Sequence, residues 1–162
     1  MKSGSFLHAG FHLALLFPLM LFSTLSGCYV DVPPADPESV SRRLSELLAD
    51  PDPEVRRTAA EALGKIGHQS ANSTLVAALA DRDPRVRATA ALALGRVNDQ
   101  MSGAALVEHL EDPSEAVRRA SALALGEVGV SAAHEGQILQ ALRNSDVSTR
   151  VAASLALLSL ET

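Results

Sequence analysis

From residue 38 onward the apolar residues recur at the spacing of helix faces, in pairs of segments. The first segment of each pair carries two apolar residues four apart: Leu44 and Leu48, Leu75 and Leu79, Leu106 and Leu110, Ile138 and Leu142. Side chains at that spacing stack on one helix face. The second segment has a broader stripe, Val55, Ala59, Ala62, Leu63 and Ile66 in the first pair and Val86, Ala90, Ala93, Leu94 and Val97 in the next. Such a stripe predicts an amphipathic helix. Asp52, Asp83, Ser114 and Asp146 stand where a side chain can accept from the free N–H groups of a helix start. Pro53 and Pro84 follow at the first helical position, where a missing N–H costs nothing. Gly67, Asn98 and Gly129 close the segments, as residues that tolerate a left-handed backbone do.

Aligned on these faces, four segments repeat one motif: Asp50–Gly67, Asp81–Asn98, Asp112–Gly129 and Asn144–Glu161. Arg56, Arg87 and Arg118 fall 31 residues apart, and Arg150 follows 32 later. A period of that length belongs to helical solenoids. Gly64, Gly95 and Gly126 lie inside the second segments, where glycine costs about 1 kcal/mol against alanine. Close packing against the following repeat explains them. The fourth segment departs most: Asn144 replaces Asp, Thr149 replaces Val and Leu158 replaces Gly.

The motif Asp-x-Asp-Pro-x-Val-Arg-x-x-Ala-x-x-Ala-Leu-Gly resembles HEAT repeats of the bacterial kind also found in phycobilin lyases. The resemblance covers residues 38 to 161. It implies an all-α fold, an α-solenoid of about four HEAT-like helix pairs, with the second helices on its concave side. It also implies a structural ladder of an inter-helix Asp with the Arg six residues later. Here the pairs are Asp50/Arg56, Asp81/Arg87 and Asp112/Arg118, with Asn144/Arg150 at the end.

The first 37 residues read differently. Lys2 precedes an apolar run from Leu13 to Phe22. The run is shorter than the roughly 20 residues a membrane span needs and has the length of a secretory h-region. Leu25-Ser26-Gly27-Cys28 follows and resembles the bacterial lipobox. The resemblance implies cleavage before Cys28, a diacylglyceryl group on its thiol and an acylated new amine. Each buried CH₂ adds roughly 0.8 kcal/mol of membrane affinity, so such chains anchor stably. The expected division is a lipoprotein signal peptide at 1–27, the lipidated Cys28 and a proline-rich tether at 28–37, and the repeat domain at 38–162. Tyr29 stands where Asp commonly signals inner-membrane retention, which implies the periplasmic leaflet of the outer membrane rather than the inner membrane.

Composition narrows the chemistry. The formal net charge is −5, and residues 1–27 hold Lys2 but no acid. The absence of a large basic field argues against nucleic acid as partner. Cys28 is the only cysteine, so no intrachain disulfide can form. All four Phe precede residue 23, and Tyr29 is the only later aromatic. His68, His109 and His134 give a single His-Glu pair, His134-Glu135, besides the reversed Glu108-His109. That is fewer than the three or four ligands a metal site needs. No Gly-x-Ser-x-Gly elbow or phosphate-binding glycine loop occurs. We therefore expect no catalytic residue, cofactor or metal.

Opposite the buried face of the second helices, one helical position gives Glu61, Leu92, Leu123 and Leu155. Arg85, Arg96 and Arg119 flank these leucines. An apolar strip with an arginine rim suits binding of another protein; the same leucines could instead seal neighbouring helices. The C-terminal run from Leu155 to Leu160 is more apolar than its siblings, which points to self-association or a partner at that edge. The sequence thus reads as a membrane-anchored scaffold or adaptor of the bacterial cell envelope. Two alternatives are a relative of the phycobilin lyases acting on a chromophore protein, and a small structural subunit of an envelope complex. The export signal, short chain and scarcity of aromatics weigh against the lyase.

Overall fold

A computed structural model describes residues 36–129 and 132–158. The expected signal peptide, Cys28, the tether up to residue 35 and Leu160 lie outside the described residues. Eight helices follow in order: α1 (Pro37–Leu47), α2 (Pro53–Ile66), α3 (Asn72–Ala78), α4 (Pro84–Val97), α5 (Gly103–Glu108), α6 (Glu115–Val128), α7 (Ala132–Ala141) and α8 (Val147–Leu158). No strand occurs among the described residues. Helices α2, α4, α6 and α8 pack side by side in that order as one layer, and each preceding helix packs on the second helix of its own pair. The arrangement is the expected all-α stack of four helix pairs.

Helix starts follow the local chemistry. Asp52 Oδ1 accepts from Glu54 N and Asp83 Oδ1 from Arg85 N, each at 2.8 Å. Asp146 Oδ2 accepts from Thr149 N at 2.8 Å. Ser114, expected to cap α6, makes no such bond. Asp36 and Pro37, expected at the end of the tether, are the N-cap and first residue of α1, with Asp36 Oδ1 accepting from Ser39 N at 2.7 Å. Gly67 (φ 65°) and Asn98 (φ 53°) end their helices left-handed. Gly129 does not: its φ is 80° but its ψ is 146°, outside the left-handed helical region.

The first helices are shorter than their leucine pairs suggested. Leu79 lies just past α3, and Leu110 sits in a 3₁₀ turn, His109–Glu111. Both are nonetheless buried, with Leu75, Leu106 and Ile138 beside them. Leu63, Leu94 and Leu125, one position in successive repeats, are fully buried. Fully burying such a side chain stabilises by about 1.5–3 kcal/mol. Repeat one loses part of its expected core: Val55, Ala62 and Ile66 are half-buried, while Val86 and Ala93 are covered by the preceding pair.

Two helix glycines pack as expected. A Cβ on Gly64 would stand 2.7 Å from Ala93 Cα, and one on Gly95 2.9 Å from Ala124 Cα. The backbones of successive second helices therefore touch with no room for a side chain.

Candidate protein-interaction surface

The turn before each second helix positions the ladder. Asp50 Oδ1 accepts from Asp52 N, Asp81 Oδ1 from Asp83 N and Asp112 Oδ1 from Ser114 N, all at 2.8 Å. The arginine six residues on does not meet that carboxylate. Nη1 of Arg56 donates to the carbonyl oxygens of Asp50 (2.8 Å) and Pro51 (3.1 Å). Its Nε and Nη2 instead donate to Asp81 in the next repeat, at 2.6 and 2.8 Å. Arg87 repeats this, bonding the Asp81 carbonyl at 2.9 Å and the Asp112 carboxylate at 2.9 and 2.8 Å. The expected pairs within one repeat are thus corrected: in-repeat contact is to backbone, and the ion pair spans two repeats. Stacking brings residues 25 apart together, which the six-residue spacing does not reveal.

These pairs shift their carboxyls. The hydrogen bond from Arg56 is the main force holding Asp81 below the usual carboxylate range. For Asp112 burial pushes upward most strongly, but the bonds from Arg87 and Ser114 N outweigh it and the net shift is down. Planar two-point pairing of this kind is the strong form of the Arg–carboxylate contact.

Leu92, Leu123 and Leu155 are 38%, 49% and 37% exposed. They line two grooves. One, between α4 and α6, is bounded by Ala88, Leu92, Ala116, Arg119 and Leu123. The other, between α6 and α8, is bounded by Arg119, Val147, Ser148, Val151 and Leu155. Glu115 and Arg119 border both, so the apolar strip runs across α6. All three leucines are thus partly covered by the neighbouring helices and partly open.

The rim is less uniform than expected. Arg85 is engaged within the chain, 2.8 Å from Glu54 and 3.1 Å from Asp83. In repeat one, Arg57 and Lys65 likewise pair with Glu54 and Glu61. Arg96 and Arg119 are exposed and take part in no ion pair among the described residues. Two histidines have described hydrogen-bond partners. His68 Nδ1 accepts from Ser70 N, and the His109 ring lies 2.8 Å from the Ala105 carbonyl and 2.9 Å from that of Leu79. His109 thereby ties α5 to the preceding repeat, a contact that only stacking reveals. Among the described residues no three His, Cys, Asp or Glu side chains converge.

Stacked helix pairs joined by a charged ladder define a helical-repeat protein. The profile of HEAT repeats matches residues 40–126, more than half of the chain, and the protein belongs to that family. Of solved structures, it is similar to the complex of CpcE and CpcF of phycocyanin lyase from Nostoc sp. PCC7120, at 26% identity and TM-score 0.62, covering 76% of this chain and 53% of that one. It is also similar to an engineered protein at 23% identity and TM-score 0.56, covering 75% of this chain and 62% of the other. A second engineered protein matches at 22% identity and TM-score 0.54, over 74% and 62%. The chain thus spans between 53% and 62% of the length of these structures. No curated protein matches it. HEAT repeats generally mediate protein–protein interaction.

Proposed function

We propose that the protein is a non-catalytic scaffold, anchored to an envelope membrane through lipid at Cys28, that holds a second protein on the strip across α4, α6 and α8. The observation that carries this reading is the row of half-exposed Leu92, Leu123 and Leu155 at one position in three repeats. Arg96 and Arg119 beside the row favour an amphipathic helix with carboxylates along that edge of its apolar face, and Glu115, which borders both grooves, favours a basic group opposite it. Crosslinking in intact envelopes tests it. Wild-type protein should capture a partner that Leu123→Glu loses; equal capture by both removes the strip. The anchor is tested separately by radiolabelled palmitate, which should enter the wild type and not Cys28→Ala. An unlabelled wild type contradicts the anchor.

The likeness to CpcE and CpcF favours a second reading, a relative of the lyases acting on a chromophore protein. Attachment of a chromophore to phycocyanin by the purified protein would replace the scaffold reading.

A further inference from the structure

The ladder leaves an unpaired half at each end of the described stack. Asp50 occupies the position of Asp81 and Asp112 and holds the same turn through Asp52 N. Among the described residues no guanidinium reaches its carboxylate. At the other end Arg150 occupies the position of Arg56 and Arg87. Its Nη1 donates to the carbonyls of Asn144 (2.9 Å) and Ser145 (2.8 Å), as theirs do to their own turns. No carboxylate among the described residues takes the Nε and Nη2 that Arg56 and Arg87 direct at the next repeat.

The apolar surfaces at the two ends are also complementary. On α8, Val151, Leu155 and Leu158 form one stripe and are 52%, 37% and 65% exposed; Val151 and Leu155 also border the strip groove, and Leu158 belongs to the end face alone. At the other end a groove of about 330 Å³ between α1 and α2 is lined by Leu44, Leu47, Val55, Thr58 and Ala62. Val55 and Ala62 hold the positions that Val86 and Ala93 bury beneath the preceding repeat.

We propose that these are two halves of one interface, and that copies of the chain associate head to tail. The Arg150 guanidinium of one copy takes the Asp50 carboxylate of the next, and Leu158 enters the groove between α1 and α2. The second copy is the occupant because a single chain carries both halves of the charge pair and both apolar faces. The contact they would make is already made twice inside the stack, by Arg56 with Asp81 and Arg87 with Asp112. Leu158 sets the difference from those junctions. It replaces the glycine whose added Cβ would strike the next helix in repeats one and two. The copies therefore stand further apart at Leu158 than at Arg150, which lies about 12 Å away along the helix, and the groove receives the leucine. Such an interface does not close on itself and gives open rows of copies. This proposal goes beyond the scaffold reading and is tested on residues outside the strip.

Sedimentation of the full chain in mild detergent provides the test. Wild type should grow past dimers as concentration rises. Leu158→Glu and Leu47→Glu, both at exposed positions, should each sediment as monomers with unchanged helical dichroism. Their equal mixture should form dimers and nothing larger, because one intact α8 face then meets one intact groove. Arg150→Gln should weaken association roughly tenfold. A wild type that stays monomeric up to about 1 mM overturns the proposal, as does a Leu47→Glu variant that still self-associates or a mixture that stays monomeric. Failure of the strip would show in partner capture by Leu123→Glu and leave sedimentation untouched.

Discussion

The junctions α4/α6 and α6/α8 use one motif and differ chiefly at one residue. At the first, Asp112 both holds its own turn and receives Arg87 through two bonds. At the second, Asn144 still holds the turn, accepting from Asp146 N at 2.9 Å. It brings no charge, so Arg118 reaches instead to Asp146, with Nη2 3.1 Å from Oδ2. The Asp146 side chain is 49% exposed against 5% for Asp112. Arg118 Nε is left buried with no partner among the described residues. The comparison separates two tasks that a single aspartate performs elsewhere, closing a turn and joining repeats. In repeat four Asn144 keeps the first and joins the preceding repeat only through a 3.3 Å bond from its Nδ2 to Glu111.

Acid should strike the complete junctions hardest, since it removes both pairs at once. Folding lowers the pKa of Asp81 and Asp112, so the unfolded chain binds more protons as the pH falls. The stabilisation is complete above the ordinary carboxyl value of about 3.9 and is lost as the pH drops through the lowered folded values. Melting temperature against pH should fall steeply below about pH 4; a flat profile down to about pH 3 contradicts the ladder's role.

Single substitutions rank next. Arg87→Ala leaves the buried Asp112 charge without its guanidinium and should cost about 3–5 kcal/mol in denaturant unfolding. Arg118→Ala, whose partner is half in water, should cost about 1–3 kcal/mol. Equal losses would erase the distinction between the junctions. Gly95→Ala should cost about 1–3 kcal/mol through overpacking against Ala124, offset by roughly 1 kcal/mol of helix propensity. Asn144→Asp gives Arg118 the partner its siblings have but sets a carboxylate beside Glu111, which now accepts from Asn144 Nδ2 at 3.3 Å, so the net change in stability should stay within about 1 kcal/mol. A loss well beyond that would show that repulsion from Glu111 and desolvation of the new charge outweigh the pair with Arg118.

Much of this is written in local chemistry. The repeat period, the proline starts, the capping aspartates and the glycine contacts all depend on residues within a turn or two, or on one repeated step. The ladder's true pairing depends on stacking, which places Arg56 beside Asp81 although Asp50 is nearer in sequence. The same holds for Arg85, whose reach to Glu54 of the preceding repeat removes it from the free rim, and for His109 bridging to Leu79. Half-burial of Val55 and Ala62 follows from the lack of a described repeat before α2, which a stripe pattern alone does not register. Ser114 shows the limit of cap statistics: the residue type fits, but no hydroxyl bond to the helix start forms.

Whether the half-open leucines bind a partner or seal neighbouring helices is decided by Leu123→Glu. Partner affinity and melting temperature are to be measured on the same purified variant. If they bind, partner affinity is lost while the melting temperature moves by less than about 2 °C, since 1 kcal/mol shifts a domain of this size by a few degrees. A melting temperature lowered by several degrees, with affinity of the folded protein unchanged, would contradict binding.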